Sequence, residues 1–188
     1  MKRFFVMLAF AWICVGACVA QMKIENAQLD EKTLHFTIVC SCPQTKDVLF
    51  RAAKEWLSTN VKDFQKNLQY EDKESGTIKV KMTSGTVATK KRGKDAEIRM
   101  KGRFEYVTTV TVKDGKYRVK TDNLMAYWNE TLVYGYMTDD LGSKRLDGIG
   151  YVQWTGDATS VNGYKRDVEA LMNGIANQAQ SQAADDDF

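Results

Sequence analysis

The chain has 188 residues, with 27 Lys and Arg against 24 Asp and Glu, one His and four Cys. That length is enough for one domain to bury its own core, without the dense disulfides of a small secreted scaffold. If residues 1–20 are removed, Lys2 and Arg3 go with them and 25 basic side chains face 24 acidic ones. So neutral a mature chain excludes bulk positive charge as a nucleic-acid-binding signature.

Met1-Lys2-Arg3 supplies a short positive segment, and Phe4 to Ala20 carries no charge. Cys18-Val19-Ala20 then presents small residues where a signal peptidase reads, which predicts cleavage between Ala20 and Gln21 and a periplasmic or secreted protein. Two alternatives share the segment. An uncleaved membrane anchor needs a somewhat longer apolar run. Val15-Gly16-Ala17-Cys18 also resembles a bacterial lipobox, in which Cys18 would be lipidated and the protein held at a membrane. The expected organisation is a signal over 1–20, one α+β domain over 21–180, and an acidic flexible tail over 181–188.

Leu34 to Cys42 alternates, with Leu34, Phe36, Ile38, Cys40 and Cys42 on one face of a half-buried strand. Thr45 can cap the helix that follows over 46–60, whose Val48, Leu49, Ala52, Ala53, Trp56 and Leu57 form one apolar stripe. Residues 68–72 and 77–83 read as two short strands around a turn at Gly76, with Lys79 and Lys81 opposite Ile78, Val80 and Met82. A polar, basic stretch over 84–103 separates these from a hairpin over 103–124. There Asp114-Gly115 is the preferred two-residue turn, with positive φ expected at both positions. Residues 125–160 show no firm period and are expected to be irregular, with at most one or two short strands. A helix begins near Val161 and carries Tyr164, Val168, Leu171, Met172, Ile175 and Ala179 on one face. The order strand, helix, four strands, helix predicts a two-layer α+β sandwich, an antiparallel sheet of about five strands with helices on one face.

Cys40 and Cys42 are candidates for a redox couple, half a metal site, a strand-end disulfide, or two small buried core thiols. Positions i and i+2 of an extended strand lie near the upper limit of disulfide spacing, so a bond there needs local curling. His35 falls on the other face of that strand, with no nucleophile motif beside it. Lys90, Lys91, Arg92, Lys94, Arg99, Lys101 and Arg103, with Lys79, Lys81, Arg118 and Lys120 on outward positions, can form an anion-binding surface; the competing reading is a solvated, edge-protected sheet. Tyr127, Trp128, Tyr134, Tyr136, Tyr151 and Trp154 can form a sugar-stacking platform or plug the end of a small core. Asp139-Asp140 and Asp185 to Asp187 lack the alternating oxygen ligands of a calcium loop. No catalytic residue, metal site or cofactor is expected.

The runs KDVLFRAAKEWL (46–57), LQYEDKESGTIKVK (68–81) and FEYVTTVTVKDGKYRVKTDNL (104–124) resemble a Bacteroides-group envelope family of unknown function with a TATA-binding-protein-like fold. Its members usually carry a signal peptide ending in Ala-Gln, matched here by Ala20-Gln21. They usually have Val-Pro-Gly before the first helix, where this chain has Cys40-Ser41-Cys42-Pro43. The resemblance implies fold and compartment and brings no catalytic residues; a fold shared with a DNA-binding protein does not carry DNA binding with it. The expected function is a non-catalytic envelope module that binds a protein, glycan or anionic surface component, with no nucleic acid, and a membrane only if Cys18 is lipidated. The alternatives are a periplasmic enzyme with an unrecognised site, or a structural subunit that assembles through a sheet edge.

Overall fold

Seven strands pair into one sheet, all antiparallel, in a computed structural model that describes residues 22–30, 33–92, 94–134, 136–156 and 161–185. The elements run β1 (Lys23–Asp30), β2 (His35–Ser41), α1 (Lys46–Asn60), α2 (Phe64–Asn67), β3 (Leu68–Asp72), β4 (Thr77–Lys91), β5 (Ala96–Lys113), β6 (Lys116–Tyr134), β7 (Met137–Asp147), α3 (Gly148–Thr155) and α4 (Asn162–Asp185). The strand order is β1-β2-β6-β5-β4-β3, and β7 also pairs with β6. β2 lies against Lys116–Lys120 of β6 and β7 against Met125–Tyr134, so the two occupy one edge of β6 end to end.

Alternation sets which side is dry. Ile38 and Cys40 of β2, Ile78, Val80 and Met82 of β4, Phe104, Tyr106, Val110 and Val112 of β5, and Tyr117 and Val119 of β6 are buried on one face. α1 covers that face with Leu49, Ala52, Ala53 and Leu57, and α4 with Tyr164, Val168, Leu171, Met172, Ile175 and Ala179. Thr45 caps α1, its hydroxyl accepting the Val48 N–H at 3.4 Å. Tyr164 reaches the middle of the sheet, with Phe36, Phe104 and Tyr106 around its ring at centroid distances of 5.3, 6.3 and 4.7 Å. Its hydroxyl bonds Thr121. The Tyr117 hydroxyl donates to the carbonyl of Met172 at 2.6 Å, tying β6 to α4.

The α+β class with helices on one face agrees with the sequence reading, but the sheet has seven strands rather than about five. One extra strand, β1, precedes the first expected one, and the other, β7, falls in the stretch expected to be irregular. There residues 125–134 are the second half of β6, 137–147 are β7 and 148–155 are the helix α3. The hairpin turn is also different in detail. Gly115 has φ +76°, but Asp114 is not among the positive-φ residues. Tertiary bonds decide the geometry: Asp114 Oδ1 accepts the Lys46 N–H at 2.7 Å, Gly115 N–H donates to the Gln44 carbonyl at 2.9 Å, and the Gly115 carbonyl accepts from Cys42 at 2.9 Å. The turn is thus clamped onto the link between β2 and α1. The expected flexible tail is helical through Asp185, because Gln182 is buried and bonds both Arg51 (2.9 Å) and Glu55 (2.5 Å) of α1. Residues 186–188 lie outside the described residues, as do the expected signal segment with its Cys18 and Ala20, and Gln21 after it.

α1 and α4 approach each other at Gly174. A Cβ at that position would fall 1.8 Å from Nε1 of Trp56 on α1. Two effects of Gly174→Ala oppose each other. Helix propensity alone would stabilise by about 1 kcal/mol, whereas overpacking costs about 1–3 kcal/mol. The contact is with a bulky ring, so the second effect is expected to win. Urea denaturation should show a net loss of stability for Gly174→Ala and a gain for the same change in a Trp56→Ala background.

Candidate functional site

The feature that builds the site is a bulge. Glu105 pairs with Met125 and Val107 with Asp122, so β6 contributes Asn123 and Leu124 where β5 contributes Tyr106 alone. Asn123 sits at φ +55°, the left-handed conformation that Asn tolerates better than most residues. Before the bulge the core-facing residues of β6 are Tyr117, Val119 and Thr121; after it they are Leu124, Ala126, Trp128 and Glu130. The one-residue slip turns Tyr127 and Asn129 to the open face, beside Arg103 and Lys101 of β5 and Arg145 and Ser143 of β7.

Tyr127 lies between two guanidinium groups, with Arg103 Cζ 5.1 Å and Arg145 Cζ 5.2 Å from its ring centroid. Both distances are within cation–π range. The next rung is Lys101, Asn129 and Ser143, in which the Ser143 hydroxyl donates to Asn129 Oδ1 at 2.7 Å. These residues line a shallow depression of about 380 Å³ that no described acidic side chain lines. Glu105 sits at its border, bonded to Lys81 at 2.6 Å and to Arg103 Nε at 2.9 Å. The hydrogen bond from Lys81, followed by that from Arg103, holds its carboxyl below the usual carboxylate range. A second hollow, of about 540 Å³, lies between Gly85 and Gly102 of the sheet and Asn162, Gly163 and Arg166 of α4.

The backing of the first depression is rigid. A Cβ on Gly102 would lie 2.0 Å from the Tyr127 carbonyl oxygen, so only glycine allows β5 and β6 to meet at this point. Behind the sheet, Glu130 is 2% exposed and accepts both indole N–H groups, from Trp128 at 2.9 Å and Trp154 at 2.6 Å. Tyr151 of α3 packs edge-on against Phe104 and Trp128, at centroid distances of 5.0 and 5.1 Å. Its hydroxyl pairs with that of Thr86 at 2.9 Å.

The structure separates the basic residues that the sequence grouped. Lys101 and Arg103 line the depression, and Lys79 and Lys81 lie on the same open face. Arg99 pairs with Glu97 at 2.6 Å. Lys90 lies on the helix side, donating to the Trp154 carbonyl at 3.0 Å with its ammonium 4.9 Å from that ring. Lys91, Arg92 and Lys94 are exposed at the far end of the sheet. Arg145, Asn129 and Ser143 were missed; their signal was a strand alternation displaced by one residue. The six aromatic residues divide likewise: Trp128 and Tyr151 are core, Trp154 is held by Glu130, Tyr127 stands between arginines, and Tyr134 and Tyr136 are exposed.

Cys40 and Cys42 are free and fully buried. Burial pushes the Cys40 thiol up to about 11 and raises that of Cys42, so neither is a thiolate at neutral pH. His35 Nδ1 lies 3.7 Å from Asp122 on the open face. Asp140 accepts the Gly142 N–H at 2.8 Å across the bulge at Leu141 of β7. Among the described residues no three His, Cys, Asp or Glu side chains gather as a metal would need.

An antiparallel sheet with helices on one face and a wet, basic opposite face defines an α+β protein of the TBP-like fold. Residues 36–127 belong to the family described as a domain of unknown function (DUF4468) with TBP-like fold. That segment contains Lys101, Arg103 and Tyr127 and ends before Arg145. A TBP-like protein from Parabacteroides distasonis ATCC 8503 is 15% identical with a TM-score of 0.53, over 82% of this chain and 97% of its own. A DUF4468 family protein from Bacteroides ovatus ATCC 8483 is 11% identical with a TM-score of 0.45, over 81% and 90% of the two chains. No curated protein matches the chain.

The thiols yield a direct test. Ellman's reagent should find no reactive thiol in the native domain (residues 21–188), and two per chain after denaturation without reductant. A denatured count of zero would establish a disulfide instead.

Proposed function

We propose that this protein is an exported, non-catalytic envelope module that binds an anionic envelope component through the open face of its sheet. The observation that carries the reading is the arrangement of charge on that face. Three of its carboxylates are ion-paired, Glu97 with Arg99, Glu105 with Lys81 and Arg103, and Asp122 with Lys120, while Asp72 and Asp140 accept backbone N–H groups. Lys79, Lys101, Arg118 and Arg145 have no carboxylate partner among the described residues. A near-neutral chain thus concentrates uncompensated positive charge on the one face its helices leave open, which attracts anions over about a Debye length.

Export rests on residues 1–21. A chain cut after Ala20 is soluble in the periplasm or outside the cell, where nucleic acid is not the expected partner. Intact mass of protein recovered from its native host should correspond to a chain beginning at Gln21. A chain beginning at Cys18 with added acyl mass would make it a membrane-held lipoprotein, and retention of residues 1–20 would sink the export reading.

Binding is tested on a sulfated-polysaccharide matrix at rising salt. The native chain should be retained at low salt and released as ionic strength increases. Lys79→Glu combined with Arg118→Glu and Lys101→Glu should elute at clearly lower salt. Lys66→Glu on α2 should not shift. Equal displacement by Lys66→Glu would mean that overall charge, rather than this face, is being read.

A further inference from the structure

We propose that Arg103, Tyr127 and Arg145, with Lys101 beside them, form a clamp for the anionic substituents of an acidic polysaccharide. The inference rests on the open face being the binding face and names the ligand class and the residues.

The two guanidinium groups are positioned before any ligand arrives. Each rests against the Tyr127 ring, and the two contact distances of 5.1 and 5.2 Å place them no more than about 10 Å apart. Their cross-strand pairing, Arg103 with Tyr127 and Tyr127 with Arg145, fixes the spacing through the sheet rather than through flexible side chains alone. Arg103 uses Nε for Glu105, which leaves its terminal nitrogens for a second acceptor. A planar guanidinium with free terminal N–H groups matches a carboxylate or sulfate two bonds at a time.

The remaining lining chooses among polyanions. A single-stranded nucleic acid is held by bases stacked on open aromatic faces. Here the Tyr127 ring has a guanidinium on each flank, and the Trp128 side chain is 2% exposed and turned into the core. The polar neighbours are the amide of Asn129 and the hydroxyl of Ser143, groups suited to sugar hydroxyls. A lipid surface would need an apolar rim, and the depression is bordered by Lys101, Arg103, Arg145 and polar side chains instead. Charge without a stacking surface, beside neutral hydrogen-bonding groups, fits a chain of sugars carrying carboxylate or sulfate.

Titration calorimetry on the domain covering residues 21–188 tests this with polygalacturonate, dextran sulfate, neutral dextran, a single-stranded oligonucleotide and vesicles rich in phosphatidylglycerol. One or both acidic polysaccharides should bind, which also separates carboxylate from sulfate as the group read; neutral dextran should not. Arg103→Gln and Arg145→Gln should each weaken that binding by about tenfold or more, the scale of one charge-assisted hydrogen bond. Tyr127→Leu should weaken it with an unchanged melting temperature. Glu105→Gln should strengthen it by roughly threefold, because a competing, partly buried carboxylate leaves Arg103. Tighter binding of the oligonucleotide or of the vesicles would overturn the assignment to polysaccharide. Full binding by both arginine variants, with loss on Lys79→Glu plus Arg118→Glu, would remove the clamp and leave the wider basic face standing. Binding of none of these probes would defeat both readings.

Discussion

The slip at Asn123 is the constraint on which the rest of the upper sheet depends. A strand of 19 residues such as β6 has to keep one face dry along its length while its neighbour β5, and β4 beyond it, keep unbroken alternation. β4 and β5 place even-numbered residues on the core side throughout, from Ile78 to Thr86 and from Val112 to Met100. β6 begins with odd-numbered residues on that side, but its later apolar residues, Leu124, Ala126 and Trp128, are even-numbered and reach that side only by a change of phase. One added residue in left-handed conformation does this, and it increases local twist as well. Without it, Trp128 and Glu130 would face solvent, and Tyr127 would face α3.

The same slip explains what could be read from the sequence and what could not. β2, α1, the start of β4 and the Asp114-Gly115 hairpin each keep one period over their length, and their residues were legible from alternation or helical spacing. Residues 125–147 keep alternation too, but out of phase with residues 116–121 and interrupted again where Leu141 is extra on β7. A window spanning either slip averages two opposite phases and shows no period. The basic surface was therefore half visible: Lys101 and Arg103 lay on a recognisable strand, whereas Arg145 and Tyr127 lay in a segment without apparent order. Lys90 was grouped with them by proximity in sequence. Parity alone would have separated it, since Lys90 falls in the series of Ile78, Val80 and Met82.

Behind the depression, polar groups do the bracing that an apolar core does elsewhere. Glu130 is buried, and a buried carboxylate is tolerable only where its lone pairs are met. Two indole N–H groups meet them, one from β6 itself and one from α3, with Lys144 Nζ 3.8 Å away. That arrangement couples the position of α3 to the backbone on which Tyr127 and Asn129 stand. Lys90 and Lys144, each 4.9 Å from the Trp154 ring, hold the same indole from β4 and β7. Three strands and one helix thus converge on a single side chain, so the outward rung is carried on a braced backbone rather than a loose hairpin.

This bracing bears on the selectivity proposed for the clamp. Loose cations on a solvated sheet bind any polyanion in proportion to charge, and salt removes the effect. Cations whose spacing is set by cross-strand pairing and whose planes rest on one ring lose less freedom when a ligand binds. The ordering has been done by folding, through the bulge, the glycine contact at Gly102 and the indole pair on Glu130. Selection among anions then depends on whether their charges repeat at the distance the sheet imposes. A near-neutral protein gains from such an arrangement, because it need not carry the large net charge that would bring every polyanion to its surface.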